Sequence, residues 1–381
     1  MTDAAARQTS RYVSQAPFQP EDDDAANVPN PPNFMARLRA QRLAYLAFGV
    51  LLTLYAMLPF IEFLAPYDSE TRNPDAIYAP PQSVRLFHDG EFRGPFVYGY
   101  SARVNEETFK REFTIDKTKV QPLRFFCAGE AYHFLGFIPA NTRLICAAPG
   151  ESLFLLGSDR LGRDVLSRVL YGGRVSLTIG LFGVTISLVL GVFFGVLAGY
   201  VGGWVDTVIL RIIETLRSLP ELPIWMALAA ALPAAWSPLW IYFGITLILG
   251  LLDWPGLARA VRARVLALRE EEFAIAARLM GASPARIMTL HMAPNFMSHL
   301  IASATLAVPA MILGETALSF LGLGLKPPVT SWGVMLNEAQ NLAVLEVYPW
   351  LLTPLIPVVV VVLAFNLLGD GLRDAADPFS R

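Results

Sequence analysis

Two carboxylates stand out because of the company they keep. Glu221 lies between two prolines in Ser218-Leu219-Pro220-Glu221-Leu222-Pro223, and Glu315 lies in an apolar run that ends near Phe320. An acid among apolar neighbours is a candidate for handling a charged solute along a low-dielectric path. The competing readings are an acid that reaches to the surface at Glu221 and one that satisfies neighbouring backbone at Glu315. The two prolines remove helix hydrogen bonds, and irregular backbone of that kind is tolerated where it lines a cavity or is buried in protein. The sequence has no Gly-x-x-x-x-Gly-Lys-Ser/Thr phosphate cradle, so the chain is not expected to hydrolyse ATP or to be an enzyme. His88, His133, His291 and His299 are scattered without ligand spacing, so no metal site is expected. Cys127 and Cys146 are the only cysteines; they form a disulfide in an oxidising compartment or stay as two buried thiols.

These residues sit in a chain built for lipid. Of 381 residues 54% are apolar and 16% charged, and the mean hydropathy of +0.46 exceeds that of an ordinary soluble core. The net charge of −2 gives no reason to expect nucleic acid. Apolar runs approach spanning length at about 43–65, 175–201, 213–233, 237–254, 296–320 and 347–369. They lack the alternation of a barrel, so the fold class is an all-α integral membrane bundle of six helices. Arg37, Arg39 and Arg42 precede the first run, and Arg259, Arg262, Arg264, Arg269, Arg278 and Arg286 crowd the connection between the fourth and fifth. Positive residues stay inside, which puts both regions and both termini in the cytoplasm and residues 66–174 in the periplasm. That insert reads as strand and turn, with runs such as Val84-Arg85-Leu86-Phe87 between Pro and Gly clusters. The leader 1–42 is read as a cytoplasmic tail without a secretory signal, expected to be disordered over 1–33, and 373–381 as a short cytoplasmic C-terminal tail. The core is then 175–372.

Within the second run Gly191, Gly195 and Gly199 recur every fourth residue, a bare seam that admits a neighbouring backbone from this chain or from a partner. The connection 255–295 has its own local logic. Helix formers run from Glu271 to Met280, with Phe273, Ala276, Ala277 and Met280 expected on one face. Gly281 supplies a left-handed stop, and Ser283 followed by Pro284 restarts a helix. The expected product is a helix, a tight turn and a second helix. Local pattern alone leaves it open between a docking element and a basic surface hairpin.

The stretch Glu272-Phe273-Ala274-Ile275-Ala276-Ala277-Arg278-Leu279-Met280-Gly281, with His291-Met292-Ala293-Pro294-Asn295, resembles the EAA loop of bacterial ABC importer permeases. Ile275 stands where that motif carries its glutamate, and Ala293 where it carries a late leucine. Residues Gly157 to Arg168, Tyr171 to Leu177, Leu318 to Gly324, Ser331-Trp332-Gly333 and Asn366 to Asp374 are similar to the DppC/OppC type of permease in the dipeptide, oligopeptide and nickel importer family. The large insert is similar to a YejE-like branch. The resemblance implies a type I importer permease whose Glu272, Ala276, Ala277, Gly281, Ala282, Ser283, Pro284 and Pro294 couple to an ATPase. It also implies a second homologous permease as heterodimer partner, two cytoplasmic ATPase subunits that hold ATP and Mg, and a periplasmic solute-binding protein. This chain itself would hold no cofactor. The expected cargo is peptide, with an oligosaccharide or other small solute as the alternative, and a stand-alone channel or secondary transporter as the rival class. The expected location is the bacterial inner membrane.

Overall fold

Apolar runs close their backbone hydrogen bonds within themselves as helices, because in lipid no water is available to do so. The computed structural model describes residues 34–104, 111–134, 137–148, 150–233 and 235–376. The expected leader 1–33 and the chain's last residues, 377–381, lie outside these.

Helix α1 (Phe34–Ala40) leads into α2 (Arg42–Met57), which a single 3-10 turn joins to α3 (Ile61–Leu64). Five strands follow: β1 (Arg85–His88), β2 (Glu91–Val104), β3 (Arg111–Pro122), β4 (Arg124–Phe134) and β5 (Ile138–Cys146). The first three form an antiparallel sheet in the order β1-β2-β3, and β4 pairs with β5 as a separate hairpin. Cys127 and Cys146 are bonded across that hairpin, with Cα atoms 6.3 Å apart. The hairpin is fastened to the end of the first helical stretch. Arg143, 1% exposed, donates to the Ala65 carbonyl at 2.9 Å, and Phe60 and Phe63 meet Phe134 and Phe126 with ring centroids 5.5 and 6.0 Å apart.

Beyond the insert come α4 (Val165–Val201), α5 (Gly203–Ser218), α6 (Glu221–Ala230), α7 (Pro238–Leu268), α8 (Glu272–Leu279), α9 (Pro284–Arg286), α10 (Ala293–Phe320), α11 (Trp332–Glu338), α12 (Leu342–Val347) and α13 (Leu355–Ala376). Among the described residues five stretches are long and apolar enough to cross a membrane: Arg42–Leu64, Val165–Val201, Pro238–Leu268, Pro284–Phe320 and Pro349–Ala375. The expected six long helices are therefore five. The missing one, 213–233, is broken into the end of α5 and the short α6. Leu219 is extended (φ −94°, ψ 141°) ahead of Pro220, because a proline ring excludes helical backbone at the residue before it.

The loop expected over 255–295 is also mostly helix. Pro255 sits buried inside α7, which continues to Leu268, and the chain is helical again from Pro284.

Helix α4 is the hub. Its small residues let two other helices come close: a Cβ on Gly180 would lie 2.7 Å from Ile312 of α10, and one on Gly195 would lie 2.6 Å from the Ala258 carbonyl of α7. The seam of Gly191, Gly195 and Gly199 thus faces α7 of the same chain, meeting Leu257, Val261 and Val265 in turn. Contacts that advance together along both helices mean that α4 and α7 run parallel. The segment between them must therefore return across the thickness of the bundle.

Candidate functional site

Three constellations concentrate the polar chemistry. The first is the turn between α8 and α9. Helix α8 begins at Glu272, an acid in the first turn that suits the positive end of the helix dipole. It ends in a Schellman turn, with Ala282 N–H donating to the Ala277 carbonyl and Gly281 N–H to that of Arg278, both at 3.0 Å. Gly281 has φ +79°, the left-handed value the turn requires. Ser283 then caps the next helix, its hydroxyl accepting from Arg286 N–H at 3.4 Å, and Pro284 takes the first helical position. A π-helical turn, Ile287–Met292, leads to Pro294 at the start of α10 and relieves the clash its ring would cause one turn back.

The orientation of α8 corrects the expected face. Ala274 and Ala277 point inward, onto a cluster with Val261, Val265, Ile287 and Met292, while Phe273 and Ala276 point outward with Met280. Since Ala277 lies about 100° from Ala276 on a helix, the two alanines serve different surfaces. The outward surface ends in Leu279 and Met280, 83% and 82% exposed. Two bare apolar side chains thus stand at the tip of the turn.

The second constellation closes the opposite end, where the insert meets the bundle. Asp159 Oδ1 accepts from the backbone N–H of Leu161 and Arg163, and Oδ2 accepts from Arg163 Nε at 2.7 Å and Arg168 Nη1 at 2.6 Å. Glu338 of α11 accepts from both arginines, and Glu70 from Arg163 at 3.3 Å. Both guanidinium groups are at most 2% exposed, so this network ties together the connection before α4, the start of the insert and α11. Asp164 caps α4 by accepting from Ser167 N–H at 2.7 Å, and burial pushes its carboxyl up to about 6. Deeper in, Glu315 is fully enclosed. It accepts hydrogen bonds from Ser176, Ser319 and Ser331 at 3.1, 2.8 and 2.7 Å, which fastens α4 and α11 to α10. It does not border the cavity described next.

The third constellation is that cavity, about 420 Å³ between α4, α7 and α10, at the mouth of the break between α5 and α6. Glu221 lines it, as do Arg217 and Asp253. Ser187 of α4 donates to Asp253 Oδ2 at 3.0 Å. Glu221 is thus placed on a cavity wall and Glu315 is not. Asp253, Arg217 and Glu338 were missed by sequence reasoning. A signal existed for Asp253, an acid in the apolar run before Trp254-Pro255, whereas only the tertiary arrangement brings Arg217 to it.

Residues 191–381 match the family model of binding-protein-dependent transport system inner membrane components, and residues 33–81 match that of the N-terminal transmembrane domain of oligopeptide transport permease C. A Brucella ovis protein named as a peptide permease is 42% identical over 224 residues, covering 58% of this chain and 72% of the relative. The dipeptide transport system permease protein DppC of Bacillus subtilis is 40% identical over 58% of this chain and 68% of its own length. The oligopeptide transport system permease protein OppC of Haemophilus influenzae is 39% identical over 62% and 75%.

Proposed function

Because the chain belongs to the family of binding-protein-dependent transport system inner membrane components, we propose that the α8–α9 turn is where ATP-driven motion of partner subunits enters a peptide-conducting bundle. The chain is the permease component of an ABC importer, a multi-pass membrane protein that carries peptides. ATPase subunits and a binding protein are the partners such a component needs. In our reading they are two ATPases under the α8–α9 turn, a second permease of the same kind beside the bundle, and a binding protein over the insert.

The topology supports that placement. Gln41 at the start of the first span reaches Asp374 at the end of the last, with Nε2 3.5 Å from Oδ2, so the two chain ends share one side of the bundle. With α4 and α7 parallel, α5 and α6 together supply the return crossing, the sixth in all: Asp206 of α5 pairs with Arg262, Arg217 at its end lies on Gly256, and Leu232 after α6 lies on Gly244, so the pair runs back along α7. The arginines around the α8–α9 turn favour the cytoplasm for that side and the outside for the insert.

The observation that carries the coupling role is the exposed Leu279–Met280 tip on a turn locked by Gly281 and Ser283. Binding of ATP shifts the permease between states only if the ATPase pair grips one state better, and a rigid tip in its groove transmits that difference. Leu279→Asp places a charge on the tip without touching the bundle. The variant should reach the membrane at native level and leave ATP hydrolysis by the assembled complex intact. Its uptake of a labelled tripeptide should fall about tenfold, the loss expected of an apolar anchor. Native uptake by this variant overturns the assignment.

A further inference from the structure

Resting on the reading of peptides as cargo, we infer that Arg217, Glu221 and Asp253 form a way-station that holds the two charged ends of a short peptide in the open cleft of the bundle. The cavity they share has about 420 Å³ of room, within the ~300–1,000 Å³ of sites that enclose small organic ligands. Its charges are of both signs. Arg217 lies over α7 where Gly256 has no side chain; a Cβ there would stand 2.9 Å from Nη1. One helical turn earlier on the same face, Asp253 is held by the Ser187 hydroxyl at Oδ2, which leaves Oδ1 for another donor. Glu221 begins α6 at the cavity mouth.

Among the described residues neither Arg217 nor Glu221 makes a direct ion pair. An arginine and an acid that border one cavity without closing on each other leave room for a ligand that is itself a zwitterion. A peptide with free termini is one: its α-amino group, with a pKa of about 7.7–8.0, is largely protonated at neutral pH, and its carboxylate is ionised. The carboxylate suits the planar fork of Arg217, and the ammonium suits Asp253 and Glu221. The wall opposite is Ser303, Ala304 and Ala307, small enough to leave the peptide's side chains unselected. Pairing at the mouth of a cavity open to water is weak, which a conducted solute needs in order to leave.

The test uses the purified full chain in lipid nanodiscs, with trialanine, N-acetyl-trialanine and trialanine amide as probes. Capping either end should weaken binding to the native chain about tenfold, the loss of one charge-assisted pair. Glu221→Gln with Asp253→Asn should weaken trialanine by the same factor and bind the N-acetyl form no worse than the native chain does. Arg217→Gln should do the same toward the amide. Equal binding of all three peptides by the native chain overturns the inference, whatever the variants do. So does a variant that loses capped and uncapped peptides alike. Uptake of labelled trialanine by cells with and without this chain is read separately. If uptake does not depend on the chain, the transport reading itself fails, whereas dependent uptake with equal binding of the three probes removes only the way-station.

Discussion

Asp164 shows how much one residue's surroundings decide. It caps α4, is fully buried, and has a carboxyl oxygen, Oδ1, without a partner among the described residues. Burial, with a smaller contribution from Asp159, moves its pKa from 3.8 up to about 6. A folded-state pKa above the unfolded value means that the folded chain holds the proton more tightly. The resulting stabilisation is full below the unfolded pKa and is lost as pH rises through about 6. Its size, about 3 kcal/mol, follows from the shift of roughly two units. Asp164→Asn keeps the cap and removes the titration. Thermal unfolding of the purified chain from pH 4 to pH 7 should therefore show native stability falling relative to the variant, with most of the change between about pH 4 and 6. Parallel curves for the two proteins would contradict this. Neither the cap nor the burial was read from the sequence, where the apolar run begins only near 175; the structure extends α4 back to Val165, with Asp164 as its cap.

At the scale of elements, the glycine seam is where sequence and structure meet most directly. Spacing every fourth residue identified a face for close approach, and the structure shows α7 filling it, with the Ala258 carbonyl 2.6 Å and Val261 Cβ 2.7 Å from where a Gly195 Cβ would stand. Backbone on the far side cannot swing away as a side-chain tip can. Gly195→Val should therefore cost about 1–3 kcal/mol through overpacking, seen as a lower unfolding temperature in detergent. Gly49→Ala in α2, where nothing lies within 4 Å, is the control. It should not destabilise, since alanine is the better helix former. A Gly195 variant as stable as the control would mean that α4 and α7 are less tightly joined than their contacts imply. The break between α5 and α6 was only half legible. Two prolines signalled irregular backbone, but the run 213–233 still read as one span because its composition is apolar throughout.

For the whole molecule, the described joins between insert and bundle include Arg143 against Ala65, the Phe60 and Phe63 contacts, Tyr78 stacked on Tyr348, Trp350 donating to the Ser158 carbonyl, Tyr67 N–H donating to Ser167, and the Asp159–Arg163–Arg168–Glu338 network. The β4–β5 hairpin carries both Arg143 and the disulfide, which closes a loop of sequence separation 19. On the chain-entropy account a bridge over such a loop contributes about 3 kcal/mol. Replacing Cys127 and Cys146 by serine should accelerate amide hydrogen exchange across 124–146 and leave α4 and α7 protected. Acceleration across the bundle as well would show that hairpin and bundle unfold as one unit.

What the sequence determined alone was whatever depends on local composition and short spacing: the membrane class, the small-residue seam, the helix stop at Gly281 and restart at Ser283, and the motifs that placed the chain in its family. Each is set within one or two helical turns. Tertiary structure decided which side of α8 each alanine serves and that Glu315 is a buried fastening while Glu221 borders a cavity. It also decided that Arg217 and Asp253 meet there. Those outcomes depend on which helices become neighbours and in what rotation, and Arg217 and Asp253, 36 residues apart in the chain, come together only once α5 runs back along α7. The exposed tip at Leu279 and Met280 belongs to both: the turn is written locally, but its projection from the bundle is set by Ala274 and Ala277 packing inward.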